Sequence, residues 1–102
     1  MPETMVKAPT SLGIETRADF RRQAQEALER LCAADGAGEL IIDLSETRSV
    51  DSAGLGVLVL IQRRAAESRR TVRLRGVSGE LRFLLVMTRL DDRFVIEGSD
   101  RM

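Results

Sequence analysis

The chain has 102 residues, of which 43% are apolar and only 3% aromatic, so it is long enough for one compact domain with an aliphatic core. Acidic and basic residues balance at 16 each, which argues against a nucleic-acid or anionic-membrane partner. The absence of histidine removes the usual general base and the commonest metal ligand, so we expect no catalytic residues, no metal and no cofactor.

The first third of the chain predicts a short strand followed by an amphipathic helix. Residues 4–8 form the strand, and Pro9 keeps it from a central position in a sheet. Thr16 is a suitable N-cap for a helix over residues 17–34, in which the apolar positions 20, 24, 27, 28 and 31 fall on one face. Gly36 and a second glycine two residues later end this helix.

The rest of the chain alternates strands with helices. A continuous apolar run over residues 40–44 is typical of a buried central strand, and a polar connection over 45–51 leads to a helix over 52–68. Residues 71–76 alternate apolar and arginine side chains, which predicts a strand that is covered on one face only or lies near an edge. A helix over 78–90 and a short strand over 94–96 complete the pattern. This alternation predicts an α/β fold with parallel strand pairs.

We expect one domain over residues 1–102, with loose ends at 1–3 and 98–102. Cys32 is the only cysteine, so it cannot form an internal disulfide, and we interpret it as a small apolar residue rather than a reactive thiol. The apolar run over 55–61 is too short to span a bilayer, and the N-terminus lacks a signal-peptide pattern. We therefore expect a soluble, cytoplasmic chain without membrane insertion.

The turn before the second helix is the most informative stretch of the chain. Ser52 lies where a strand is followed by a helix N-terminus, whose free backbone N–H groups favour a phosphate. Asp51 and Ser52 are both good N-cap residues, so Ser52 is either part of a helix cap or a reversible charge switch. Gly54 and Gly56 each cost a helix about 1 kcal/mol relative to alanine, which indicates that the sheet or a partner approaches the backbone there.

Both later helices are apolar around most of their circumference. A domain of this size cannot bury them on all sides, so either they expose an apolar binding surface or the N-terminal segment covers them. In the helix over 52–68 we expect a core stripe of Leu55, Leu58, Ile61 and Ala65, with Val57, Val59 and Leu60 outside it. In the helix over 78–90 the apolar residues are Leu81, Phe83, Leu84, Leu85, Val86 and Met87.

Catalysis is not supported by the residues near this turn. No histidine, lysine or cysteine lies near Ser52 to act as its base. Asp43 and Asp51, both near strand ends, could bind Mg²⁺ or accept a phosphoryl group, as the acids of a response-regulator receiver do. A receiver also needs an acidic pair after its first strand and a lysine after a later strand, whereas Lys7 is the only lysine here.

The chain resembles a STAS domain and, within that group, a bacterial anti-sigma factor antagonist. The resemblance covers about residues 15–97 and is carried by four segments, which are LIIDLS at 40–45, VDSAGLGVL at 50–58, TVRLRGVS at 71–78 and LDDRF at 90–94. It implies a single α/β domain with a mixed, mostly parallel β-sheet of four to five strands flanked by helices. Two features depart from the family pattern: Pro9 interrupts the short opening segment where a hairpin is usual, and Ala53 replaces the usual second hydroxyl.

The resemblance also implies a phosphorylation cycle in signalling and transcription regulation. An anti-sigma factor with serine kinase activity phosphorylates Ser52, the unphosphorylated form binds that partner and frees the sigma factor, and a PP2C-type phosphatase resets the switch. The implied partner-binding residues are Asp51, Ser52, Ala53, Gly54, Leu55, Gly56 and Val57. Two alternatives stay open: a STAS subunit of an ABC-type lipid transporter bound to its ATPase, and a signalling scaffold. A weak homodimer also stays open.

Overall fold

The computed structural model describes residues 3–33 and 38–98, and these form strands and helices in alternation. The predicted helix end at Gly36 and most of the expected loose ends lie outside these residues, but Glu3 and Gly98 are terminal residues of strands. In chain order the elements are β1 (Glu3–Lys7), β2 (Ser11–Leu12), α1 (Arg17–Ala33), β3 (Glu39–Asp43), β4 (Ser49–Val50), α2 (Ser52–Glu67), β5 (Thr71–Val77), α3 (Gly79–Met87) and β6 (Val95–Gly98), with a turn of 3-10 helix at Asp91–Arg93.

The main sheet has the strand order β1-β3-β5-β6, and each adjacent pair of these strands is parallel. Ile42 of β3 lies opposite Val6 on one side and Leu74 on the other. The edge position of β1 agrees with Pro9 two residues after it, because proline lacks the N–H that a central strand would need. The predicted α/β fold class is confirmed.

The two faces of this sheet differ sharply. Buried residues from all three helices join one cluster with Val6, Leu40, Ile42, Val72 and Leu74, which project from the same face because strand side chains alternate. On the opposite face Arg73 pairs with Glu39 at 3.1 Å and with Glu97 at 2.9 Å. The helices therefore cover one face of the sheet, as the alternation of residues 71–76 predicted for β5.

A second, two-stranded parallel sheet lies where we expected only a polar connection. Ser11 pairs with Ser49 and Leu12 pairs with Val50, joining β2 to β4. Two-residue strands carry too little alternation to be recognised in a sequence, so the prediction for residues 45–51 was wrong at these positions. This small sheet fastens the segment before α1 to the start of α2.

The buried face of α2 differs from the predicted stripe. Leu58, Ile61 and Ala65 are buried as expected, but Leu55 is only half-buried, and Val57, which we placed outside the stripe, is buried. The reason is that α2 packs against α1 and the small sheet as well as against β5, so its buried face is wider than a single stripe. The predicted core positions of α1 are all buried.

Helix α3 is shorter than the predicted helix over 78–90. Ser78 is its N-cap, with its hydroxyl oxygen accepting the Leu81 N–H at 3.1 Å. Leu81 and Leu85 are buried, whereas Phe83 and Met87 are 66% and 65% exposed. Among the described residues the N-terminal segment does not cover this apolar face.

Candidate functional site

Asp51 ties together the starts of α1 and α2. Its Oδ1 accepts the Gly54 N–H at 2.9 Å, which caps α2, and its Oδ2 accepts the Ile14 N–H at 3.3 Å, in the loop before α1. The hydrogen bond from Gly54, together with weaker contributions from Ile14, Ala53 and the charge of Arg17, holds the pKa of Asp51 below its ordinary value. The carboxylate thus fixes the approach of two helix N-termini.

Two glycines make this close approach sterically feasible. A Cβ on Gly54 would lie 2.8 Å from the carbonyl carbon of Leu12 and closer still to its oxygen, and that oxygen accepts the Asp51 N–H at 3.2 Å. A Cβ on Gly13 would lie 2.8 Å from the carboxyl carbon of Asp51. Gly54 is therefore required by the chain's own backbone, whereas Gly56 has open space around the corresponding position.

Ser52 has a free hydroxyl at the first position of α2. Asp51, and not Ser52, supplies the side-chain cap of α2. The Ser52 side chain is exposed and makes no hydrogen bond within residues 3–33 and 38–98, so of the two roles left open for Ser52 the helix cap is excluded. A modification of this hydroxyl would remove no cap.

Ser52 lies in an open groove of about 510 Å³ between the N-terminal turns of α1 and α2. Helix α2 contributes the side with Ser52, and α1 contributes two arginines. The lining residues are Arg17, Ala18, Arg21, Ser52, Ala53, Gly56, Val57 and Leu60. No pattern in the sequence places the α1 residues here, because arginines on the polar side of an amphipathic helix look like an ordinary solvated face.

The seven predicted partner-binding residues divide into three groups in the structure. The exposed ones are Asp51, Ser52 and Gly56, the half-buried ones are Ala53 and Leu55, and the buried ones are Gly54 and Val57. Leu55 packs against the core cluster. The accessible surface of this turn thus consists of Asp51, Ser52 and Gly56 with part of Ala53, whereas Gly54 and Val57 lie beneath it.

The two carboxylates considered for Mg²⁺ have different hydrogen-bond partners. Asp43 lies at the end of β3 on the uncovered face of the sheet, beside Lys7 and Arg75 in the neighbouring strands. Its Oδ1 accepts the Ser45 N–H at 3.0 Å, and hydrogen bonding to Ser45 is the main reason why the pKa of Asp43 is lowered. Within the described parts of the chain, no three histidine, cysteine, aspartate or glutamate residues are grouped so that they could hold a metal ion.

The burial of Cys32 and the lengths of the helices bear on two further predictions from the sequence. Cys32 is half-buried and packs against the core, as its interpretation as a small apolar residue implies. None of the helices in residues 3–33 and 38–98 is long and apolar enough to cross a bilayer.

Comparisons with known proteins identify relatives of this chain. The family model described as "Mlab, STAS domain" matches residues 2–97. A crystal structure of a proposed anti-sigma factor antagonist from Thermotoga maritima is 25% identical, with 90% of this chain and 77% of that chain covered and a TM-score of 0.73. A search of curated proteins finds no match.

Two more solved structures share the fold. An NMR structure of the same Thermotoga maritima protein superposes with a TM-score of 0.75 at 21% identity, covering 94% of this chain and 74% of that chain. A sulfate transporter family protein from Wolinella succinogenes superposes with a TM-score of 0.68 at 15% identity, covering 96% and 79%.

Proposed function

The chain belongs to the STAS domain family, and on that basis we propose that it is an anti-sigma factor antagonist that works as a phosphorylation-controlled binding switch. In this proposal it binds an anti-sigma factor with serine kinase activity while Ser52 is unphosphorylated, and a PP2C-type phosphatase restores the binding state. The similarity to the Thermotoga maritima protein supports the antagonist role. The chain acts by binding and not as an enzyme.

The observation that carries the proposal is the free, exposed hydroxyl of Ser52 beside an open groove. A kinase can reach this oxygen without unfolding the helix, because Asp51 alone supplies the side-chain cap. Phosphorylation adds a charge of about −1.5 to −2 and three acceptor oxygens at this point. A group of that charge changes what can dock here.

The surface around Ser52 suits a close protein contact. Gly56 has no neighbour within 4 Å of where a Cβ would be, so a partner's backbone can approach α2 closely. Ala53 and Leu60 are half-buried and offer apolar area on either side. A phosphate desolvated in such a contact without a counter-charge from the partner would cost several kcal/mol, which is enough to release the partner.

The test is a binding comparison of Ser52→Ala and Ser52→Asp with an anti-sigma factor kinase from the same organism. We expect Ser52→Ala to bind and Ser52→Asp to bind at least about tenfold more weakly, which corresponds to about 1.4 kcal/mol. Ala66→Asp is the matched control, because it adds the same charge on an exposed part of α2 about 21 Å along the helix from Ser52. Equal affinities of the two Ser52 variants would refute the switch.

Phosphorylation itself is tested by incubating the chain with that kinase and ATP and locating the phosphate by mass spectrometry. The proposal expects one phosphate, on Ser52, and none on the Ser52→Ala variant. A phosphate found elsewhere, with Ser52 unmodified, contradicts it.

The second candidate is a STAS subunit of an ABC-type lipid transporter bound to its ATPase. It is kept because the same fold occurs in a sulfate transporter family protein. Such a subunit would co-purify with an ATP-binding-cassette protein and show no phosphate turnover at Ser52. Large homo-oligomers in solution would instead favour a signalling scaffold.

A further inference from the structure

We propose that Arg17 and Arg21 of α1 bind the phosphate on Ser52 within the same molecule, so that the phosphorylated state is held by this chain's own guanidinium groups. This inference rests on the proposed function only in taking Ser52 as the phosphoacceptor. The inference assigns a role in the switch to α1, whereas all the site residues predicted from the sequence lie at the start of α2.

The first reason is placement. Arg17 is the first residue of α1 and Arg21 lies four residues further, so both side chains project from the same side of the helix. Both line the groove that also contains Ser52. The hydrogen bonds of Asp51 to the loop before α1 and to the first turn of α2 hold the two helix starts side by side. Arg17 is close enough to Asp51, the residue before Ser52, to act on its charge.

The second reason is that neither arginine is committed to a salt bridge within the described residues. Within the described residues neither Arg17 nor Arg21 forms a salt bridge, whereas Arg22 on the same helix pairs with Asp19 and approaches Glu26 at 3.9 Å. Arginine presents a planar set of N–H donors that matches phosphate oxygens, so two arginines that line one groove without a salt bridge are suited to a dianion.

The third reason is the position of Arg17 in its helix. A positive charge in the first turn opposes the helix dipole and is unfavourable for α1 by itself. A phosphate in the groove would offset this repulsion, and the positive charges of Arg17 and Arg21 would in turn offset the repulsion between the phosphate and Asp51. The phosphate would then occupy the groove beside Ala53 and Gly56, where the proposed partner contact lies.

The test uses the full chain with phosphoserine installed at position 52 during translation, so that no kinase or partner is needed. The phosphate is titrated by phosphorus NMR in the parent phosphoprotein, in the Arg17→Gln/Arg21→Gln variant and in an Arg17→Lys/Arg21→Lys variant. Arg30→Gln is the matched control, because Arg30 is exposed on the same helix about 20 Å from Arg17.

We expect the phosphate of the parent phosphoprotein to titrate about half a pH unit lower than that of the double glutamine variant, because nearby positive charge favours the dianion. The Arg30→Gln control should match the parent, and the double lysine variant should keep most of the shift. Circular dichroism of each variant verifies folding. Equal midpoints in the parent and the double glutamine variant overturn the inference.

This result is independent of the proposed function. If the kinase does not phosphorylate Ser52, or if the partner binds Ser52→Ala and Ser52→Asp equally, the switch fails while the titration still decides whether the arginines bind an installed phosphate. If the titration midpoints are equal but the Ser52 variants differ in binding, only the role of the arginines is overturned.

Discussion

Replacing Gly54 with alanine is expected to destabilise the protein, although alanine is the better helix former. Helix propensity alone would favour the alanine by about 1 kcal/mol. The added Cβ would lie 2.8 Å from the carbonyl carbon of Leu12, well inside the separation of about 3.5 Å at which carbon atoms pack. The obstacle is backbone, not a side chain that can rotate away.

The surroundings of Leu12 prevent an easy adjustment. Its side chain is completely buried, its backbone pairs with Val50, and its carbonyl oxygen accepts the Asp51 N–H. We therefore place the overpacking cost near the upper end of the usual range, at about 3 kcal/mol. After subtraction of the propensity gain, Gly54→Ala should destabilise the fold by about 2 kcal/mol.

Gly56→Ala is the matched control two residues further along α2. A Cβ on Gly56 has no neighbour within 4 Å, so only the propensity term remains and the variant should be stabilised by up to about 1 kcal/mol. Urea denaturation followed by circular dichroism measures both. With a slope of about 2 kcal/mol per molar urea, the midpoints of the two variants should differ by about 1.5 M. The steric reasoning is refuted if Gly54→Ala is as stable as Gly56→Ala.

Two further predictions concern stability. Leu58→Ala removes a completely buried side chain and should lower the free energy of unfolding by about 2–5 kcal/mol. Phe83→Ala, on the exposed face of α3, should change it by no more than about 0.5 kcal/mol. Similar losses for the two variants in urea denaturation would contradict the assignment of the core. Because the pKa of Asp51 is depressed in the folded state, its carboxylate contributes stability above the ordinary value of 3.8 that is lost as the pH falls through the lower folded-state value. Asp51→Asn keeps a capping residue but removes this titration, so its urea midpoint should fall less than that of the parent between about pH 4 and pH 2; an equally steep fall would contradict the role of Asp51.

Local sequence patterns were sufficient to predict those elements in which each residue type has one dominant physical role. The stripe of α1 from Phe20 to Leu31, the apolar run over residues 40–44 and the alternation around Arg73 each predicted an element that the structure contains. Pro9 predicted that the first strand avoids the centre of the sheet, because a missing N–H has the same consequence in any fold. The apolar surplus of the last helix left open whether that surface is exposed or covered by the N-terminal segment, and the structure shows Phe83 and Met87 exposed.

Contacts between segments that are distant in the sequence could not be predicted from those patterns. The pairing of Leu12 with Val50 joins segments 38 residues apart and involves strands too short to show a period. The position of Leu12 also explains why residue 54 is a glycine, because a Cβ there would clash with the Leu12 carbonyl group. From the sequence, a partner's backbone could equally have required this glycine. The packing of α2 against α1 and the small sheet likewise widens the buried face of α2, which includes Val57.

From the sequence alone come the α/β class, the importance of the turn at Ser52 and the choice of Asp51 or Ser52 as a cap, because these follow from residue types and spacings within one segment. The tertiary structure alone decides that Asp51 is the cap, that the Ser52 hydroxyl is free and that Arg17 and Arg21 share its groove. All three depend on how α1 packs beside α2. That packing follows from the close contact between Gly54 and the Leu12 carbonyl group, which joins distant segments and leaves no local pattern in the sequence.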